Sequence, residues 1–424
     1  MEIKLSGGLK METELPILHV LSFRFLWKPD CHALLRLEGY VDRNIGWNPE
    51  KSDHSPIRIW TEDGGKQQIL YHGYLADMEM INTGGMSHIS IQALSASCLL
   101  DTKKRSRSFQ NTTETYGEVV REVFQAEGGQ IIRNRQNDGE IESTIIRNKE
   151  TAWQFAKRMG RRTGNYLIPD IETGRPNAWF GMRKGNEIPA LSEEQCTLWI
   201  SPADTGGKLR IRTEGRDFYK IGDRLTYLGQ KMTIVEVEGI YERGEIIYSY
   251  VLEDRTDGIP SFRHEGHPAG QGFWGVIKEI EGECVRIALD IDGGKETGNC
   301  LYPWYPETGN AFYAMPEIGA RALLYFGDEG EMDGVVIHCL TTNPEYEHRY
   351  TDRAFQTKDG NSVKLTEGNL DVFEAEGHTL SVSDSSILMK SSKNMKICAQ
   401  GEIRLTAKQI TVNTPRELNL CQGS

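Results

Sequence analysis

Four stretches carry residue types and spacings that could do chemistry. In "RHEGHP", His264 and His267 stand three positions apart, a spacing a metal ion can use, but the surrounding Gly/Pro-rich run offers no further ligand nearby. Asp290-Ile291-Asp292-Gly293 has the start of a calcium loop and lacks the remaining oxygen ligands at the required spacing, so a β-turn accounts for it. The pairs Asp328/Glu329 and Glu374/Glu376 have the carboxylates that glycoside hydrolysis needs. Both pairs sit in short polar turns, where charged residues are simply solvated. No GxxxxGK[ST], GxSxG or HExxH pattern occurs. The sequence therefore assigns no catalytic, cofactor-binding or metal-binding residue, and the expectation is a protein that is not an enzyme.

What must the chain do instead? Its 424 residues exceed one ordinary core and predict two to four domains. A net charge of −12, with no basic stripe, argues against nucleic acid, whose phosphates demand clustered Lys and Arg. Forty-four glycines fit a turn-rich, mostly β protein. Eight cysteines lie far apart without CxxC, which reads as reduced, mostly buried thiols and synthesis in the cytoplasm. "MEIKLSGGLKMETE" lacks the apolar core of a signal peptide, and the apolar run Leu15 to Trp27 is too short to span a bilayer.

The last sixty residues keep a beat. Two apolar residues flank one central residue in Val363/Leu365, Leu370/Val372, Leu380/Val382, Ile387/Met389, Met395/Ile397, Ile403/Leu405, Ile410/Val412 and Leu418/Leu420. The triplets recur at steps of 7, 10, 7, 8, 8, 7 and 8 residues, and the middle residue is polar in seven of the eight. Alternation within each triplet is that of a strand with one wet face, and turn formers such as Glu367-Gly368 and Asn413-Thr414-Pro415 separate them. A fixed repeat predicts a β-solenoid or β-prism; an ordinary antiparallel sheet of short strands is the competing reading. One chain can enclose neither so narrow an apolar stripe nor its strand edges, whereas several copies wound about an axis do both. These sixteen apolar residues are thus the expected core of an oligomeric needle.

Upstream, residues 1–110 read as strands: "ALLRLEGYV", "PIRIWTED", "QQILYHGYLADMEMI" and "SHISIQALS". Two helices follow. The first, near 115–128, has a Thr115-to-Glu118 capping box, an apolar face of Val119, Val120, Val123 and Phe124, and a Gly128-Gly129 stop. The second, near 148–163, turns Trp153, Ala156 and Met159 inward and ends in a basic turn before Gly164. Strands resume from Asp217 to Glu253, closing a first region of two barrel-like subdomains over 1–253. Residues 254–272 read as a linker. Residues 273–343 have the size of a five-stranded oligonucleotide/oligosaccharide-binding (OB) barrel, 344–360 connect, and 361–424 form the needle.

Three stretches carry a family resemblance: "TTETYGEVVREVFQAEGG" with "NKETAWQFAKRMGRRTGNYL"; "PEIGARALLYFGDEGEMDGVVIHCLTTNP"; and the C-terminal ladder. In this order they resemble the VgrG proteins of type VI secretion and the late control D hub-and-spike proteins of contractile phage tails and phage-tail-like bacteriocins. One departure lies in the barrel, where Glu331-Met332-Asp333 stand in place of the family's prolines. The resemblance implies a homotrimer. Its hub would meet an Hcp-like tail-tube protein and the baseplate, and its needle would transiently pierce a target membrane. It implies assembly in the cytoplasm within the baseplate, then ejection. No histidine follows His378, so no His-x-His ion site closes the needle, and a PAAR-like tip protein is the expected cover for a blunt end. The alternative is a trimeric carbohydrate-binding or carbohydrate-cleaving tailspike; a ladder without Tyr or Trp beyond Tyr350 disfavours it.

Overall fold

The computed structural model describes residues 2–41, 55–63, 65–83, 86–133, 138–191, 196–227 apart from 201–208, 229–254, 268–295, 298–306, 314–327, 331, 333–340, 351–357 and 359–419. The chain divides into two units, Met1–Thr342 and Asn343–Ser424.

In the first unit, the alternation read from the sequence becomes one antiparallel sheet of twelve strands. Its order runs Glu2–Lys4, Leu9–Thr13, Pro56–Asp63, Lys66–Thr83, Met86–Ser95, Leu34–Val41, Ile17–Trp27, Gln230–Glu242, Glu245–Glu253, Leu209–Gly215, Cys196–Ile200, with Arg224–Tyr227 paired beside Gln230–Glu242. The two barrel-like subdomains expected over 1–253 thus share a sheet, joined where Trp27 faces Val237 and Ser22 faces Glu242. Ile17–Trp27 shows how packing follows local sequence. Its buried residues step by three and then by two: Ile17, Val20, Phe23, Phe25, Trp27. Each step of three coincides with a register shift against Leu34–Val41, so the bulges absorb Leu18 and Leu21 and leave them exposed.

Between the two halves of that sheet the chain makes a helical insertion. Helix α1, Tyr116–Ala126, starts at the expected capping box, with the Thr115 and Glu118 side chains each accepting from the other's backbone N–H. Helix α2, Ala152–Thr163, starts later than its sequence suggests. Residues Ile145–Glu150 form a strand, Lys149 has a positive φ of 52°, and Thr151 with Gln154 builds a second capping box. Gly164, at φ 70°, ends α2 in the left-handed conformation that glycine adopts without strain. The predicted inward residues of both helices are buried, with Phe109, Ile145, Phe155 and Phe180 completing their core.

Gly272–Glu281, Cys284–Leu289, Tyr302–Pro303, Arg321–Phe326 and Gly334–Leu340 form a separate five-stranded sheet, the third module. The sheet order places Tyr302–Pro303 at one end and Gly334–Leu340 at the other, and a parallel bridge from Trp304 to Val336 joins those ends. Its core of Phe273, Ile277, Val285, Ile287, Leu324 and Phe326 also takes in Ile146 from the helical insertion.

The second unit is a meander of Arg353–Gln356, Ser362–Thr366, Asn369–Glu374, His378–Ser383 and Ile387–Lys390, each strand antiparallel to the next. The ladder therefore begins at Arg353, inside the stretch expected to be a plain connector. Residues 391–419 make no strand pairing.

Candidate assembly surface

The triplets meet in register. Val363 faces Val372, Leu365 faces Leu370, Leu370 faces Val382, Val372 faces Leu380, Leu380 faces Met389 and Val382 faces Ile387. Residues directly opposite share a face, so the pairs line up as one apolar stripe across four strands. Sequence reading missed Phe355, which faces Val363 and extends the stripe to a fifth strand. The middle residues Lys364, Asp371 and Ser381 pair among themselves on the other face, where the Ser381 hydroxyl donates to Asp371.

None of these apolar side chains is buried. Leu370, Leu380 and Val382 are half-covered; Val363, Leu365, Val372, Ile387 and Met389 are exposed. So are Met395, Ile397, Ile403, Leu405, Ile410, Val412 and Leu418, whose triplets make no pairing, while Leu420 lies outside the described residues. Strand pairing requires a neighbour as well as a pattern, and here the chain supplies only the pattern.

The sites with possible chemistry resolve differently. His264, His267, Asp328 and Glu329 lie outside the described residues. Glu376 pairs with Lys393, and Glu374 lies 4.0 Å from His378. Asp290 binds Arg321 at 2.5 Å; the Asp292 carboxylate accepts from the Ser108 N–H at 2.8 Å and from its hydroxyl at 2.6 Å. Both carboxylates of the calcium-like turn are thus engaged by the protein itself. Among the described residues no three His, Cys, Asp or Glu side chains gather as a metal site, and no helix is long and apolar enough to cross a membrane. The cysteines are less sheltered than expected: Cys31, Cys98, Cys284 and Cys300 are half-buried, and Cys339 and Cys398 are exposed.

One constellation escaped the sequence because its members are far apart. The His32 ring meets the Ser97 hydroxyl at 2.8 Å through Nδ1 and Asp101 at 3.4 Å through Nε2, a Ser–His–Asp set whose ring nitrogens are used the opposite way round from a serine-protease triad. Ser97, however, has no exposed surface and shares its hydroxyl with Ser95, so no substrate reaches it. Asp101 in turn accepts from Thr151, the cap of α2, and His32 lies against Trp153 at 4.5 Å between ring centres. The group fastens α2 to the large sheet.

Burial lowers the His32 pKa below 6.5 despite the hydrogen bond and charge of Asp101, and Lys157 adds to the lowering. The fold favours the neutral ring, so the unfolded chain takes up the proton first. The stability that depends on a neutral His32 is fully present above pH 6.5 and is lost as pH falls below it. Melting temperature measured against pH should show this slope in the native chain, and His32→Gln should flatten it.

No protein-family model and no curated protein matches the chain. Solved structures do. The E. coli c3393 protein, a component of the type VI secretion system with structural similarity to the T4 bacteriophage tail proteins gp27 and gp5, aligns at a TM-score of 0.57 and 10% identity, over 78% of this chain and 99% of that one. The chain shares the backbone fold of this type VI secretion component. A chain of the lidless PdpA–VgrG complex aligns at a TM-score of 0.57 and 10% identity, over 92% of this chain and 99% of its own. The lidded Francisella PdpA–VgrG complex gives 0.57 and 9% identity over 88% and 76%. At such identities the VgrG-type likeness is one of backbone architecture, reached by a different set of side chains.

Proposed function

We propose that the chain is the non-enzymatic central spike and hub of a contractile injection machine, acting as a homotrimer. The observation that carries this reading is the stripe from Phe355 to Leu418: apolar residues kept in register or on beat, yet left uncovered by their own chain. A stripe of this kind is stable in water only when other surfaces cover it, and identical copies present a matching one. Residues 1–253 then serve as the hub that meets an Hcp-like tube protein and the baseplate. Residues 273–343 form an OB-type collar, a reading supported by five strands whose outer two are joined by a parallel bridge. Residues from Arg353 onward become a β-prism needle that pierces the target membrane on contraction and carries a PAAR-like tip protein. Assembly takes place within the baseplate in the cytoplasm, before ejection.

Gold-labelled antibody against the chain, applied to purified contractile particles, should mark a single spot at the baseplate end of the tube. Label spread along the tube would defeat the hub assignment. A trimer whose apex is pointed and self-sealed, in particles without a tip subunit, would defeat the tip assignment alone.

A further inference from the structure

The strand Glu245–Glu253 and the barrel's first strand, Gly272–Glu281, follow each other in the chain, but the barrel is held chiefly by the helical insertion. Glu331, with 3% of its side chain exposed, reaches from the barrel into that insertion. Its Oε1 accepts from the Ile146 N–H at 2.8 Å and from Arg158 at 3.2 Å, and its Oε2 accepts from Arg162. Arg158 is itself gripped by Glu150 at 3.0 and 2.9 Å and donates to the Ile146 carbonyl at 2.7 Å. A buried carboxylate is costly unless its oxygens are satisfied, and here both are, by two guanidinium groups and an amide. The arginines are fixed as well: Arg158 lies over Phe155 and Arg162 over Tyr116, which joins α1 to the cluster. Burial opposes the Arg158 charge, but Glu331 and Glu150 outweigh it and raise the pKa of the guanidinium.

Three further contacts act on the same interface. Asp292 holds Ser108, and the Gly298 backbone runs beside Gln110 so closely that an added Cβ would come within 2.0 Å of the Gln110 carbonyl carbon. Asn148 meets Gln271 at 2.6 Å on another side.

We propose that Glu331 is the positioning residue that locks the barrel to helix α2, making barrel and helical insertion a single rigid body. Motion of the large sheet then reaches the barrel through α2 as well as through the peptide connection between Glu253 and Gly272. The mechanical use of this lock rests on the spike reading; the rigid body itself does not.

The test uses the full-length chain. Hydrogen exchange at the Ile146 amide and calorimetric unfolding are compared for the native chain, Glu331→Gln, Arg162→Gln and the double variant. In the native chain, Ile146 should exchange as slowly as the α2 core, and the barrel should melt together with the insertion. Glu331→Gln keeps one acceptor oxygen but loses the charge that holds both guanidinium groups, so it should speed exchange at Ile146 and separate a barrel transition at lower temperature, while the α2 amides stay protected. The double variant should lose little beyond Glu331→Gln alone, because both substitutions break one lock. Unchanged Ile146 protection with a single transition in Glu331→Gln, or strictly additive losses in the double variant, would overturn the proposal. Should Glu331→Gln fail to fold, Arg162→Gln alone decides, since it leaves the Arg158 contact in place: faster Ile146 exchange supports the lock and unchanged exchange refutes it. A failed spike reading would leave these outcomes untouched.

Discussion

Ile403→Asp, Ile410→Asp and Leu418→Asp together should yield a chain that still folds, as judged by circular dichroism, and sediments as a monomer. In the single chain these side chains are 53%, 56% and 58% exposed, so replacing them costs the isolated fold almost nothing. Any large effect must come from contacts between copies. Three copies would bury nine such side chains at ~1.5–3 kcal/mol each, roughly 14–27 kcal/mol in all. Every 1.4 kcal/mol or so is a factor of ten in affinity, so even half of that sum separates assembled from dissociated protein at working concentrations. Aspartate adds a second penalty, because three carboxylates would be brought together at each level of the needle. Unchanged sedimentation would remove the stripe from the assembly interface.

The second large effect belongs to the first unit. Trp153→Ala should destabilise the first unit by about 3–5 kcal/mol in urea unfolding. Trp153 is 2% exposed, lies on the buried face of α2 and supports the His32 ring that fastens the helix to the large sheet. Removing the indole leaves a cavity between two rigid elements that cannot close around it. Thr151→Ala, which removes the cap and the hydroxyl's hydrogen bond to Asp101, should cost about 1–2 kcal/mol by the same measurement. A Trp153→Ala loss no larger than the cap's would mean that α2 is held by its termini and not by its face.

The contrast between these two regions shows what the sequence could convey. Helix α1 was legible because its information is local: the Thr115/Glu118 box, four apolar residues on one face and a glycine stop. The start of α2 was misjudged because Asn148 and Lys149 look helical, while a positive φ at Lys149 and pairing of Ile145–Glu150 with Arg105–Phe109 exclude them. Strands were legible from alternation, but the union of Ile17–Trp27 with Gln230–Glu242 crosses some two hundred residues and leaves no local trace. The same holds for Glu331 and Asp292, which gain their partners in the helical insertion only where the third module packs against it, burying Glu331 and half-burying Asp292. The triplet beat is legible in the sequence, but which strands pair is not: the triplets from Val363 to Met389 join in an antiparallel meander, while those from Met395 onward make no pairing. Phe355 was not legible, since its strand lacks a triplet and joins the stripe only by register.

Sedimentation equilibrium of the purified full-length chain at micromolar concentration tests the central claim most directly. The account predicts a mass near three times 47.9 kDa that survives dilution and mild detergent. A species of 47.9 kDa, with the apolar stripe still exposed to solvent, would contradict it.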